Sequence, residues 1–194
     1  MRLRWPPRPS SNPPAAWPPE LDRPSVWDQN SAVGSQTWLA DPQMRLQHAL
    51  DLAYRSLARR DRTVAEIRAQ LESKRVEPAA IDAAVAELLE LGYLDDARYA
   101  QRFAEDRRTL DSWGPDRIQR RLQALGLRDE LIADALGTRE PADELDAAVA
   151  VLRRRFSAPC QEPRDRERAL GMLVRKGYDL ELAYDAVRAF GRLA

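Results

Sequence analysis

The sequence predicts an all-α protein made of three tandem three-helix repeats, helix-turn-helix-like units in an elongated, curved stack. Three observations support this prediction. Apolar residues recur at helical spacing from Gln43 onward, and the same apolar pattern returns twice more at a fixed offset. The first 42 residues instead combine many prolines with no apolar periodicity. No segment alternates polar and apolar residues as a half-buried strand would, so we predict no β-sheet.

Residues 1–42 differ in composition from the rest of the 194-residue chain. They hold nine of its 14 prolines and four of its five tryptophans. Proline fixes φ and removes a backbone donor, so a regular helix is not expected here. We predict a disordered or polyproline-like extension, whose tryptophans are either unconstrained or anchors for a partner.

The first predicted repeat covers residues 43–94, and its first helix follows from a continuous apolar face. Thr63 and Glu66 have the spacing of a capping box, which marks the start of its second helix. Pro78 suits the first turn of the third helix, where a missing N–H costs nothing. Gly92 suits the left-handed residue that ends this helix.

Two further repeats, 95–139 and 140–194, follow from an internal offset of 51 residues, the separation of Ile67 and Ile118. Apolar residues agree at six positions in all three copies, which unrelated amphipathic helices would not produce. Such a period indicates stacked helical units. The matching sets are Ile67, Ile118 and Ala169; Leu71, Leu122 and Leu173; Val76, Leu127 and Tyr178; Ile81, Ile132 and Ala183; Ala84, Ala135 and Ala186; and Val85, Leu136 and Val187.

The turn before the last helix of each repeat contains a residue that differs between copies. The second and third copies have Gly126 and Gly177, which adopt positive φ at little cost. The first copy has Arg75 at this position, so we expect a differently shaped turn there.

The segment LGYLDDARYAQRF, residues 91–103, forms the predicted joint between the first two repeats. One helix ends at a glycine, and an aspartate caps the next helix. We expect the aromatic and leucine side chains of this segment to be buried in the seam between repeats. The joint residues are Gly92, Tyr93, Leu94, Asp95, Asp96, Tyr99 and Phe103.

Residues suited to catalysis or to metal binding are few. His48 has no partner at ligand spacing, and Cys160 has no nearby base to activate it. A single cysteine excludes an internal disulfide, and no phosphate-binding glycine loop is present. The adjacent Asp95 and Asp96 suit helix capping better than a metal cage. We therefore expect no enzymatic activity, no cofactor and no metal.

Charge is balanced overall but segregated along the chain, with 31 basic and 31 acidic residues. Residues 77–96 contain six acids and no base, whereas residues 107–121 and 164–176 each contain five bases and two acids. Such clusters are either a solvated helix face or a contact for phosphate or an acidic protein. The candidate contact residues are Arg107, Arg117, Arg120, Arg121, Arg164, Arg168, Arg175 and Lys176.

Several of these segments resemble the signature of the RecX family, bacterial regulators of the RecA recombinase. The matching residues are GYLDDARYAQRF at 92–103, Arg107, Gly114–Ile118, Leu122, Gly126 and Ile132–Leu136. The resemblance covers roughly 44–190 and is most specific in the first two repeats. It implies binding to RecA and to RecA-coated single-stranded DNA, with inhibition of filament growth, ATP hydrolysis and strand exchange.

Two other functions remain open from the residues alone. The three-helix units suit a helix-turn-helix-like nucleic-acid-binding protein, although readers of DNA usually carry a net basic charge. They also suit a helical scaffold for another protein. The start of the chain lacks the apolar core of a secretory signal, and no segment is long enough to span a membrane. We expect a cytoplasmic monomer that binds bare DNA weakly.

Overall fold

The computed structural model describes residues 41–137, 139–156, 158 and 162–192. This part of the chain contains α-helices and no β-strand, and the helices form three consecutive groups of three. The predicted all-α fold of tandem three-helix repeats is confirmed. The helices are α1 Pro42–Leu57, α2 Val64–Ser73, α3 Pro78–Glu90, α4 Asp96–Asp111, α5 Pro115–Ala124, α6 Asp129–Leu136, α7 Pro141–Arg155, α8 Pro163–Lys176 and α9 Leu180–Gly191. Of the predicted extension, residues 1–40 lie outside the described residues.

Local sequence signals fix the starts of these helices. Five helices begin with proline at the first position, where the missing N–H is not needed. The capping box at the start of α2 is formed, because Thr63 Oγ1 accepts from the Glu66 amide at 3.1 Å and Glu66 Oε2 accepts from the Thr63 amide at 3.3 Å. At the starts of α4 and α9 the cap is simpler, because the side chains of Asp95 and Asp179 accept backbone amides with no reciprocal side-chain bond among the described residues. Each cap satisfies an amide that the helix itself leaves unpaired.

Each repeat has its own apolar core. The matching residues Leu71, Leu122 and Leu173 are fully buried at the centre of the three cores. In every repeat the first and third helices pack against each other, and the second helix closes the bundle. The offset in the sequence therefore marks equivalent places in three separate small bundles.

The contact between successive repeats also recurs at the same offset. Between the first and second repeats, Thr63 Oγ1 donates to the carbonyl oxygen of Leu125 at 2.8 Å. Between the second and third repeats, the amide of Gly114 donates to the carbonyl oxygen of Lys176 at 2.9 Å. In both joints the N-terminus of a second helix therefore packs on the turn that precedes the third helix of the next repeat.

Close packing at these joints explains the two turn glycines. A Cβ atom added to Gly126 would lie 2.4 Å from Ala65 Cβ, and one added to Gly177 would lie 2.3 Å from Arg117 Cβ. Both distances are too short for any side chain. Glycine is required here because the neighbouring repeat approaches the backbone directly.

The expectation that Arg75 gives its turn a different shape is wrong. Arg75 has φ of 60°, in the same left-handed region as Gly126 at 78° and Gly177 at 91°. Among the described residues no repeat precedes the first one and packs on this turn, and the Arg75 side chain is exposed. Contact with a neighbour, rather than backbone conformation alone, selects glycine in the later copies.

The glycine and the two aspartates of the joint segment have two roles, which are to end or cap a helix and to connect the two repeats. Gly92 follows α3 with φ of 71°, and Asp95 Oδ1 accepts from the amide of Arg98 at 2.9 Å. Asp96 instead reaches across the joint, where its Oδ1 accepts from the amide of Val64 at 3.0 Å. Burial raises the pKa of Asp96, an effect that this backbone hydrogen bond opposes.

The burial of the two residues between these positions differs. Leu94 is buried with 2% exposure, whereas Tyr93 is 46% exposed. Tyr93 packs edge-on against Tyr54 of the first repeat, with ring centroids 5.2 Å apart. The expectation that Tyr93 is buried in the seam is therefore wrong, because its ring lies on the outer surface of α1.

Replacing Gly92 with valine should lower the free energy of unfolding by about 1 kcal/mol, because a β-branched residue resists positive φ. Among the described residues, no atom outside Gly92 and its two chain neighbours lies within 4 Å of the Cβ position, so backbone strain is the main expected cost. Gly126→Val is the matched comparison and should cost more, since it adds a clash with Ala65. Urea unfolding of both variants measures the difference, and an unchanged Gly92→Val protein would contradict the role assigned to this turn.

Candidate functional site

The exposed face of α5 carries three of the candidate arginines. Arg117, Arg120 and Arg121 are exposed, while Ile118 and Leu122 on the opposite side are fully buried. Arg120 Nε donates to the carbonyl oxygen of Asp116 at 3.1 Å. None of the three guanidinium groups pairs with a carboxylate in the described part of the chain. Their positive charges are therefore not neutralised locally.

The joint between the second and third repeats brings the two basic segments of the sequence together. Arg117 Nη1 donates to the carbonyl oxygen of Arg175 at 3.3 Å. Lys176 Nζ donates to the carbonyl oxygen of Asp111 at 2.7 Å. These hydrogen bonds join residues that are 58 and 65 positions apart in the sequence. Arg117, Arg175 and Lys176 therefore lie on one basic surface.

Arg154 is a further cation of this surface that was not predicted from the sequence. Arg154, near the end of α7, donates to Ser112 Oγ at 2.6 Å. Burial lowers the pKa of Lys176, and the nearby positive charges of Arg154 and Arg117 lower it further, while Asp111 opposes them. Like charges are thus concentrated here in the absence of a partner. Only the repeat joint brings Arg154 to this place, and no local sequence pattern indicates it.

Aromatic rings continue the basic surface along α4. The rings of Tyr99 and Phe103 lie nearly parallel, with centroids 6.2 Å apart, and Phe103 meets the edge of Trp113 at 6.3 Å. The Arg107 guanidinium lies 5.2 Å from the centroid of Phe103 and 5.6 Å from that of Trp113. The Arg117 guanidinium lies 4.2 Å from the Trp113 centroid. We call these five residues the ring row.

The ring row is half-buried. Tyr99, Phe103 and Trp113 pack against the core of the second repeat and remain partly open to solvent. Arg107 is neutralised by Asp111 at 2.5 Å, whereas Arg117 is exposed and has no carboxylate partner among the described residues. Tyr99 and Phe103, assigned to the joint from the sequence, thus belong to a surface as well as to a core.

The first repeat borders the other end of the ring row. Burial raises the pKa of the Tyr99 phenol, and Glu66 raises it further, while the positive charges of Arg60 and Arg121 oppose that shift. Arg60 itself pairs with Glu66 at 2.5 Å. The row therefore extends from the first repeat to the joint with the third.

The remaining candidates lie apart from this surface. Arg164 and Arg168 are exposed in the first half of α8, and Arg168 Nη1 lies 3.8 Å from Asp165 Oδ1. At about 1.5 Å per residue, Arg164 is roughly 18 Å along the helix from Lys176. The structure does not bring these two arginines to the joint.

A buried ion pair lies at the joint between the second and third repeats. Arg108 Nε lies 3.4 Å from Glu144 Oε1, with side-chain exposures of 3% and 10%. Arg108 Nη2 also donates to the carbonyl oxygen of Leu136 at 2.9 Å, so it links the end of α6 to the start of α7. In the sequence, Arg108 is one of the five bases of residues 107–121, and its charge alone does not predict burial. Its spacing from the buried Ala100 and Ala104 on α4 was the signal that it faces inward.

Tyr178 completes the buried side of this joint. Burial raises the pKa of Tyr178 to about 12, and Glu144 contributes to the increase. The phenol is therefore neutral at physiological pH. Tyr178 packs in the core of the third repeat. It directly follows the turn of Lys176 and Gly177, whose carbonyl oxygens accept amides from the start of α5.

The described residues contain no group of three or more histidine, cysteine, aspartate or glutamate side chains placed to hold a metal ion. His48 is half-buried on α1, and Cys160 lies outside the described ranges. In the same part of the chain, no helix combines the length and apolar character needed to cross a bilayer.

Comparison with known proteins identifies relatives over most of the chain. The family model for the first three-helix domain of RecX matches residues 49–88, and that for the second domain matches residues 95–136. Regulatory protein RecX of Mycolicibacterium smegmatis is 31% identical over 172 residues, covering 85% of this chain and 91% of that protein. Regulatory protein RecX of Thermus thermophilus is 35% identical over 140 residues, covering 72% of this chain and 90% of that protein. These relatives are named as regulators, not as enzymes.

Two solved structures share the fold. The crystal structure of RecX from Lactobacillus salivarius matches with a TM-score of 0.69 at 20% identity, covering 77% of this chain and 98% of that chain. A second crystal structure of regulatory protein RecX matches with a TM-score of 0.64 at 21% identity, covering 76% and 73%. At these identities the likeness concerns the arrangement of helices alone.

Proposed function

This chain belongs to the RecX family, and from that premise we propose that it binds the RecA recombinase on single-stranded DNA. Binding would restrain filament growth, ATP hydrolysis and strand exchange without any chemical step by the chain itself. The observation that carries the proposal is the basic surface at the joint of the second and third repeats, where Arg117, Arg154 and Lys176 have no carboxylate partner among the described residues. A cluster of unneutralised cations is costly and favours an anionic partner.

The arrangement of repeats supports a partner that is itself elongated. We propose that the units 43–94, 95–139 and 140–194 lie one after another along the filament, as a cytoplasmic monomer. The central unit contacts a neighbour on each side, so its exposed α5 arginines are held in a fixed position. Arginine suits both phosphate oxygens and acidic side chains, because its planar group binds oxygen pairs.

Co-sedimentation with filaments tests the proposal. We expect this chain to sediment with RecA-coated single-stranded DNA and to slow ATP hydrolysis by the filament. We also expect weak binding to bare DNA. Absence of binding to coated DNA, together with no effect on ATP hydrolysis, would contradict the proposal.

The alternative is a helix-turn-helix-like protein that binds DNA by itself, and the aromatic rings beside the basic surface are the observation that favours it. A salt series distinguishes the two functions. Tight binding to bare DNA that falls steeply with salt, with no gain from the recombinase, would support the alternative.

A further inference from the structure

The first repeat carries an aromatic and acidic surface that lies away from the basic joint. Tyr54 and Tyr93 meet edge-on there, with ring centroids 5.2 Å apart. Tyr93 is 46% exposed, and Leu91, close by in the sequence, is 55% exposed. We call Tyr54, Glu87, Glu90, Leu91 and Tyr93 the tyrosine patch, which lies at the C-terminal ends of α1 and α3. Clustered exposed apolar groups mark a surface that another segment can cover.

Negative charge surrounds the rings of the tyrosine patch. Residues 77–96 contain six acids and no base. Within the described ranges, neither Glu87 nor Glu90 forms an ion pair. Burial raises the pKa of the Tyr54 phenol, and the nearby Tyr93 and Glu87 raise it further, so a carboxylate lies close to the paired rings. The patch thus combines exposed rings with negative charge that is not neutralised locally.

Residues 2–9 of the same chain, outside the described ranges, have the complementary chemistry. Their sequence is RLRWPPRP, with three arginines, three prolines, one tryptophan and no acid. Proline-rich segments favour the polyproline conformation, which docks on aromatic-lined grooves at little entropic cost. Arginine pairs with carboxylates and also lies favourably over tyrosine rings. The segment therefore matches both the rings and the charge of the patch.

The place where the described chain begins puts this segment within reach of the patch. α1 begins at Pro42, and Tyr54 lies 12 residues further, about 18 Å along the helix. Residues 10–41 connect the segment to α1, and a linker of this length has a root-mean-square end-to-end distance of roughly 30 Å. A tether matched to its span gives an effective concentration on the order of 1 mM. Even weak docking is then favoured over binding of a second copy.

We propose that residues 2–9 dock on the tyrosine patch of the same chain. The prolines lie against the rings of Tyr54 and Tyr93, and the arginines pair with Glu87 and Glu90. Docking removes exposed rings from solvent and offsets part of the negative charge of the first repeat. The patch is thereby closed to other proline-rich partners until the segment is displaced. This inference concerns a surface separate from the basic joint and does not depend on the proposed function.

Paramagnetic NMR of the full chain tests the inference. Cys160 is the only cysteine in the sequence, so the variant Cys160→Ser/Ser10→Cys accepts a single nitroxide label directly after the segment. We expect selective loss of the amide signals of residues 87–93, with recovery when the nitroxide is reduced. The loss should weaken as the salt concentration rises, because exposed charges are screened.

Further variants assign the contact to the patch. Glu87→Lys/Glu90→Lys in the labelled chain should abolish the signal loss, because repulsion replaces attraction. Glu72→Lys/Asp134→Lys is the matched control, since it changes the net charge equally at two exposed carboxylates on α2 and α6. Tyr93→Leu should reduce the signal loss, whereas Tyr93→Phe should retain it because a ring remains. Circular dichroism of each variant checks that the fold is retained.

Three outcomes would overturn the inference. Unchanged signals at residues 87–93, or equal loss over the whole described chain, would show that the segment does not dock there. Loss that persists in Glu87→Lys/Glu90→Lys would place the segment elsewhere. An equal mixture of spin-labelled chain without ¹⁵N and unlabelled ¹⁵N chain should show no loss, and a selective loss there would assign the patch to a second copy. The assay contains neither recombinase nor DNA, so its failure is distinct from failure of the proposed function.

Discussion

A variant with glutamate in place of Arg117, Arg120 and Arg121 should lose most of its inhibition of recombinase ATP hydrolysis. Charge reversal replaces attraction with repulsion at three neighbouring positions, so the concentration needed for inhibition should rise at least about tenfold. The three side chains are exposed, and exposed charges contribute little to folding. Inhibition and circular dichroism are measured on the same preparation.

The three positions are not equivalent, which requires a second variant. Arg117 lies over the Trp113 ring and donates to the third repeat, so its replacement also disturbs the joint. The double variant Arg120→Glu/Arg121→Glu leaves both contacts intact and isolates the effect of charge. Reversal of Arg188 and Arg192, two exposed arginines at the end of the chain on or beside α9, is the matched control.

Full inhibition by a folded triple variant would exclude α5 as the main contact. The next candidates would be the cations of the third repeat. Arg175 and Lys176 at the joint would be tested first, and then Arg164 and Arg168 on α8. Loss of inhibition by the α9 control as well would indicate a nonspecific effect of net charge.

Much of the fold could be predicted because the signals are local. The capping box at Thr63 and the helix starts at proline can be predicted from residues that are close together in the sequence. The offset that relates Leu71, Leu122 and Leu173 reports the same buried place in three small cores. Each of these features depends on contacts within one repeat, where sequence spacing determines spatial distance.

The joints could not be predicted in the same way. Thr63 caps its own helix, as its spacing indicates, but its hydroxyl also donates to Leu125, 62 residues further along the chain. The basic surface joins Arg117 to Lys176 and adds Arg154, three residues whose proximity depends on the packing of two repeats. Charge counts along the sequence locate the basic segments but not the place where they meet.

The same limit applies to residues that are alike in backbone conformation or adjacent in the sequence but differ in their tertiary environment. Arg75 and the turn glycines have equivalent backbone conformations, and only the presence of a neighbouring repeat separates them. Arg107 and Arg108 are adjacent in sequence, yet the first lies over aromatic rings at the surface and the second is buried. The helical phase of α4 distinguishes them, because Arg108 follows Ala100 and Ala104 on the inner face.

The second large effect should come from the buried pair of Arg108 and Glu144. Replacing Glu144 with alanine leaves a buried guanidinium without its carboxylate, which typically costs about 3–5 kcal/mol. The exposed pair of Arg68 and Asp82 is the matched control, with side-chain exposures of 41% and 65%. Asp82→Ala should cost less than about 1 kcal/mol, since exposed ion pairs contribute little. Urea unfolding of the two variants measures both costs.

Loss of this pair should also affect the surface above it. Arg108 connects the end of α6 to the start of α7, so it fixes how the third repeat meets the second. Without it, Arg154 and Lys176 should lose their fixed positions beside Arg117, and binding to filaments should weaken although none of the three was changed. The double variant Arg108→Met/Glu144→Leu removes both charges and should regain stability. Equal stability of Glu144→Ala and the unaltered chain would show that the pair does not hold the joint.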